Sequence, residues 1–182
     1  VMIRSTVIPG TTESYCIPLF EQLSKLQCGK DFYVSYVPER IAEGKAFEEF
    51  STMPTVIAAA DDESCKKSAD ILKINCKADL IFSNSIIAAE TSKVLENLQR
   101  DVNIAMVQEF ARFTEANDID IFEVIHLANT HKRVNLLTPG PGVGHERSVR
   151  LLSAPSFHLR GGRGGGVPIR VGFPGAAADA KH

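Results

Sequence analysis

Lys93, Asn97 and Arg100 lie in a stretch free of proline and glycine, at spacings of four and three. At the helical step these three heads fall within about 60 degrees of one another. An ammonium, a carboxamide and a guanidinium on one face make a cluster of hydrogen-bond donors. Two carboxylates, Glu39 and Glu43, bracket Arg40 and Ile41 in VPERIAEG, and a carboxylate so placed can handle water or a proton. His131 and Arg133 precede the loop PGPGVG, where Gly142 and its neighbours let backbone amides approach a ligand closely. Thr6 supplies a hydroxyl at the end of an apolar run. Taken singly, each has an ordinary explanation as a solvated lysine, a surface asparagine or a loop carboxylate in water.

Four cysteines, Cys16, Cys28, Cys65 and Cys76, form no CxxC pair and have no nearby histidines. Neither a zinc site nor a thioredoxin-type site is supported, so no metal is expected. The expectation is four reduced thiols, several of them buried.

The elements that must position these groups alternate over the first 83 residues. Val1–Val7 reads as a strand ending at Pro9-Gly10, and Thr11 or Thr12 can cap a helix carrying Ile17, Phe20, Leu23 and Leu26. Phe32–Val37 and Thr55–Ala59 read as strands, Asp61/Asp62 open a helix through Ile74, and Asp79–Phe82 is a last strand. Such alternation predicts a parallel or mostly parallel sheet with crossover helices. Ser85–Ala116 then predicts one long helix, followed by a second over Ile119–Ala128. Leu95, Leu98, Val102 and Met106 cluster opposite Lys93, while Ile104, Val107, Phe110 and Phe113 spread apolar surface around most of the circumference. A helix of that kind needs cover on nearly all sides, and a partner subunit is the natural supplier. Seven of the thirteen glycines fall in residues 145–182, which predicts a disordered or poorly packed tail.

A formal net charge of -2 gives no general drive toward nucleic acid or anionic membrane. No apolar run approaches the ~20 residues needed to span a bilayer, and no signal pattern opens the chain, so the cytoplasm is the expected compartment. The Arg160-Gly-Gly and Arg163-Gly-Gly pairs are too few, with too little aromatic company, to make RNA binding the preferred reading.

Four stretches together resemble the UDP-glucose/GDP-mannose dehydrogenase family: RSTVIPGTT (4–12), VSYVPERIAEG (34–44), AAETSKVLENLQRDVNIA (88–105) and LANTHKRVNLLTPGPGVG (127–144). They occur in the family's order and spacing, and look most like its UDP-N-acetylmannosamine branch, with UDP-glucose and GDP-mannose branches as near alternatives. The resemblance implies an α/β chain. Residues 1–83 would be the C-terminal portion of a Rossmann-like NAD-binding domain. Residues 84–144 would be a mostly α-helical dimerisation domain with the substrate loop, and 145–182 a Gly/Arg-rich tail.

It also implies oxidation of a sugar C6 alcohol to a carboxylate by two hydride transfers to NAD, with a cysteine capturing the intermediate aldehyde. By resemblance, Lys93 and Asn97 hold the reacting oxygen and a water, and Glu39 serves thioester hydrolysis. Thr6 lies near the nicotinamide and the catalytic water, and Glu43 near cofactor and substrate. Arg40, Ile41, Arg100, His131, Arg133 and Gly142 match positions that meet the UDP-sugar. A homodimer through residues 85–116 is implied as well.

Two departures predict an inactive chain. The family's GxGxxG turn is absent, and Glu146 stands where the nucleophilic cysteine belongs. Lys132 also replaces the proline of the family's His-Pro-Arg. The abrupt change after Gly144 is what a reading-frame shift would produce. A non-catalytic dimerisation module, kept for its long helix, is the alternative from another functional class.

Overall fold

The computed structural model describes residues 1–41 and 46–138. Four strands form one mixed sheet in the order β1-β2-β3-β4, with β1 at Met2–Ile3, β2 at Ser35–Tyr36, β3 at Thr55–Ala59 and β4 at Leu80–Ser83. The β1–β2 and β3–β4 pairs are parallel, as the alternation predicts, whereas β2 and β3 run antiparallel. The expected strand over residues 1–7 narrows to two residues. Its hydrogen bonding nevertheless continues, since Val37 and Glu39 donate to the carbonyls of Ile3 and Arg4 at 2.9 and 3.1 Å. That ladder delivers the VPER segment beside Thr6.

The first helix departs from expectation. A π-turn, Thr12–Cys16, precedes α1 at Ile17–Ser24, and the Ile17 N–H reaches the Thr12 carbonyl five residues back. Pro18 has no N–H to offer Ser14, which favours the wider turn. Neither threonine caps the helix: the Thr11 hydroxyl donates to the Ile8 carbonyl, and Thr12 Oγ1 is buried without a hydrogen-bond partner. Lys25 ends α1 in the left-handed region, so Leu26 falls outside it; Leu23, within the helix, is 73% exposed.

An unanticipated short helix, α2, spans Ala46–Thr52. Helix α3, Asp62–Lys73, starts where the paired aspartates predict, with the Asp61 carboxylate accepting the Ser64 N–H at 2.8 Å. Helix α4, Ile86–Glu115, runs unbroken for 30 residues with Ser85 as its N-cap, and α5 occupies Ile121–Ala128.

The two-residue period of the strands divides the core between the sheet's faces. Tyr36 and Ala58 pack on one face with Ile86 and Ala89 of α4. Val37 and Ile57 pack on the other with Ala69 and Leu72 of α3. The beginning of α4 is therefore part of the sheet's core. No cysteine is in a disulfide; Cys76 is buried and the other three are half-buried. Among the described residues no helix is long and apolar enough to cross a membrane. The expectations for Glu43, for Gly142 and for the tail from residue 145 fall outside the described residues.

Candidate active site

The buried side of α4 carries polar residues among apolar ones. Ile86, Ala89, Glu90, Lys93, Asn103 and Val107 are all buried, and on a helical wheel they lie within about 80 degrees of Lys93. Leu95, Val102 and Met106, on the opposite side, are 61, 45 and 41% exposed. Polar groups thus share the buried side with apolar ones, and Glu90 and Asn97 reach the segment that follows β1.

Glu90 fixes this arrangement. Its fully buried carboxylate accepts the backbone N–H groups of Gly10 and of Thr12, the latter at 2.9 Å. Gly10 sits at φ +91°, a conformation that favours glycine. A carboxylate at the start of a helix meets its free N–H groups and its positive dipole end. The anchor holds the Thr6–Thr11 segment against α4, one turn before Lys93.

Asn97, one turn beyond Lys93, donates through Nδ2 to Thr6 Oγ1 at 3.5 Å. Lys93 Nζ lies 4.0 Å from Glu96 Oε2, and Glu96 Oε1 pairs with Arg40 Nε at 2.9 Å. Burial lowers the Lys93 pKa below the ordinary lysine value. The carboxylates of Glu96 and Glu39 oppose that fall, while the guanidiniums of Arg100 and Arg40 add to it. Glu39 itself is exposed, and its carboxylate accepts the Ile41 N–H. Thr6, Glu39, Arg40, Ile41, Lys93, Asn97 and Arg100 thus occupy one neighbourhood.

His131 and Arg133 are placed differently. Both are exposed in the turn after α5, and the Arg133 N–H donates to His131 Nδ1 at 3.3 Å. Among the described residues neither forms a hydrogen bond or ion pair with the Lys93 group. The adjoining residues 135–137 are anchored by two side-chain amides that the sequence alone does not single out. Asn103 Nδ2 donates to the Asn135 carbonyl at 2.6 Å, and its Oδ1 accepts the Leu137 N–H at 2.9 Å. Asn129 makes the same two-way contact with Leu136, at 3.0 and 2.7 Å. Glu90 and Glu96 are likewise missing from the sequence-based candidates. The available signal was helical spacing, because Glu90 and Glu96 each stand three residues from Lys93.

Cys16, Cys28 and Cys65 are not poised as thiolates. Burial pushes the thiols of Cys16, Cys28 and Cys65 up, and nearby carboxylates push them further. No group of histidine, cysteine and carboxylate residues able to hold a metal ion occurs among the described residues.

Two family models match this chain. The NAD binding domain of the UDP-glucose/GDP-mannose dehydrogenase family matches residues 1–80, and the central domain of that family matches 87–148. The UDP-N-acetyl-D-mannosamine dehydrogenase of Pyrococcus horikoshii is 39% identical over 144 residues, 79% of this chain and 34% of that protein. Protein CapL of Staphylococcus aureus is 41% identical over 80% of this chain and 34% of its own length. The solved UDP-D-ManNAc dehydrogenase from Pyrococcus horikoshii superposes with a TM-score of 0.77 at 37% identity, covering 87% of this chain and 38% of the other. The chain spans about a third of the length of these relatives. Its α/β architecture and NAD-binding-domain match agree with what the motifs imply. With both family models matched in order, the chain belongs to the UDP-glucose/GDP-mannose dehydrogenase family.

Proposed function

We propose that this chain forms the part of an NAD-dependent nucleotide-sugar 6-dehydrogenase that holds the reacting sugar oxygen, with UDP-N-acetyl-D-mannosamine as substrate. The observation that carries this is the inward placement of Lys93, with Asn97 touching Thr6, which joins the helical segment to the NAD-binding segment. In this reading residues 1–83 belong to the NAD-binding domain and 84–144 to the central domain.

Lys93 and Asn97 donate hydrogen bonds to the C6 oxygen and to a water, where developing negative charge makes such donors most effective. Glu39 handles the proton of the hydrolytic water. Arg40, Ile41, Arg100, His131, Arg133 and Gly142 meet the nucleotide sugar. Bound NAD supplies the hydride acceptor; Thr6 and Glu43 are the residues of this chain that would stand at its nicotinamide end. The fit is partial, since Thr6 is in place against Asn97 while these 182 residues hold no GxGxxG turn.

Without that turn, and with Glu146 at the position of the cysteine nucleophile, the chain carries the substrate-positioning groups but does not turn over by itself. Two copies associate through the exposed apolar side of α4. A cytoplasmic setting suits NAD-dependent chemistry and four unpaired thiols. Calorimetric titration with UDP-N-acetyl-D-mannosamine and NAD, alongside a reduced-NAD assay, tests the reading. Sugar-nucleotide binding that weakens in Lys93→Met supports it, and any turnover by the purified chain overturns its inactive part. No binding, or binding indifferent to Lys93→Met, would favour a role confined to dimerisation.

A further inference from the structure

Glu96 belongs to none of the roles assigned above, yet it lies between two of the groups that carry them. Its carboxylate divides its oxygens: Oε1 makes a close pair with Arg40 Nε at 2.9 Å, and Oε2 stands 4.0 Å from Lys93 Nζ. The Arg40 guanidinium has a second restraint, because its Nη1 donates to the Pro54 carbonyl at 3.2 Å. Arg40 is thus fixed from both sides, and one of its two holders also faces the ammonium.

The surrounding charges explain why a carboxylate is needed there. Lys93 has Arg40 and Arg100 as like-charged neighbours, and Glu96 and Glu39 as opposite ones. Tyr36, from the sheet beneath, feels the Glu96 carboxylate as well. The Lys93 side chain is 10% exposed, whereas those of Arg40 and Glu96 are 30 and 34% exposed. A pair as open as Arg40–Glu96 contributes little to stability. Its effect on a shielded neighbour is larger, since water screens a buried charge less completely.

We propose that Glu96 is a positioning residue that bridges Arg40 and Lys93, holding the guanidinium in place and setting a carboxylate beside the buried lysine head. The proposal rests on the reading of Lys93 as a donor to the reacting oxygen only for its functional meaning. The bridge itself is a property of the chain without ligand.

The test is an NMR titration of the full 182-residue chain labelled at lysine Cε, with the Lys93 signal assigned by its loss in Lys93→Arg. Glu96→Gln should lower the Lys93 midpoint, and by more than Glu39→Gln does. Glu96→Asp, which keeps the charge on a shorter arm, should restore part of the loss. Arg40→Gln should act with the opposite sign, raising the midpoint, because it removes a cation and frees the carboxylate for Lys93. Urea midpoints should stay close to that of the parent chain in all three carboxylate variants, so that the titrations compare like folds. An unchanged midpoint in Glu96→Gln, a larger effect from Glu39→Gln, or a fall in Arg40→Gln each overturns the bridge. No sugar nucleotide is present, so failure of this test and failure of the binding test above are separate results.

Discussion

The Glu90 carboxylate, fully buried on α4, accepts the Thr12 backbone N–H at 2.9 Å across 78 residues of sequence. The same carboxylate takes the Gly10 N–H, so two free donors at the start of the first helix are satisfied by a side chain from a distant one. This contact replaces the local cap that Thr11 or Thr12 could have made. It also ties the Thr6 segment to α4 immediately before the Lys93–Asn97 turn, which is where the two segments must stay in register.

Removing that carboxylate leaves buried N–H groups without an equivalent partner. Glu90→Gln keeps one acceptor oxygen but turns an amide donor toward the backbone donors. The expected loss is about 1–3 kcal/mol of unfolding free energy, with a larger one for Glu90→Ala. Urea unfolding followed by far-UV circular dichroism measures it. A loss in Glu90→Gln under about 0.5 kcal/mol, the range of ordinary surface substitutions, would remove Glu90 as the anchor.

The bounds of α3 and α4 were legible because their signals are local. Asp61 and Ser85 are good caps, and no proline or glycine interrupts 86–115. The Lys93–Asn97–Arg100 face was legible for the same reason. Its inward direction was not, since it depends on Tyr36 and Ala58 taking Ile86 and Ala89 into the sheet's core. The antiparallel turn between β2 and β3 was hidden as well, because strand direction is set by which edge the chain returns to. Asn103 and Asn129 could not be recognised as anchors, since their partners are main-chain atoms of 135–137 and main-chain atoms leave no mark in composition.

Asn103 should hold the segment that leads into the glycine–proline loop. It is buried, and both ends of its amide are used, one on the Asn135 carbonyl and one on the Leu137 N–H. Asn103→Leu keeps the volume and loses both bonds. Amide hydrogen exchange at Leu137 should accelerate at least tenfold, corresponding to roughly 1.4 kcal/mol of lost local protection. Leu136, held by Asn129 instead, should change less. Equal acceleration at both amides would mean that the segment opens as a unit and that Asn103 has no separate hold on it.

Lys93 and Tyr36 give stability opposite slopes at high pH. The folded pKa of Lys93 is lowered, chiefly by burial, so the unfolded chain binds its proton more tightly. Stability therefore rises with pH between the folded Lys93 pKa and the unfolded value of about 10.4. The Tyr36 phenol is pushed up, first by burial and then by Glu90 and Glu96. Its contribution is present in full below the unfolded tyrosine pKa of about 10 and is lost as pH climbs from there. Lys93→Met should abolish the rise, and Tyr36→Phe should flatten the fall. The latter also gives up the 3.3 Å bond to the Ser5 carbonyl, about 1 kcal/mol at neutral pH. Urea midpoints at half-unit steps from pH 8 to about 11 separate the two, and parallel profiles for parent and Lys93→Met would contradict the assignment.

The outward side of α4 sets the last expectation. Leu95, Phe110 and Phe113 are 61, 56 and 60% exposed, with Val102 and Met106 along the same helix. Phe122 and Leu127 of α5 are exposed at 56 and 60%. Apolar side chains of this size along one long helix favour association with a second apolar surface. If two copies meet there, Phe110→Glu must bury a charge in the interface, whereas the monomer tolerates it because the position is open to water. The parent chain should then run as a dimer at micromolar concentration in size-exclusion chromatography with light scattering. Phe110→Glu should run as a monomer with its circular dichroism spectrum unchanged. Glu63→Gln, on α3 and away from this surface, should leave the dimer intact. A parent chain that is already monomeric, or a Phe110→Glu variant that still dimerises, would rule out α4 as the contact between copies.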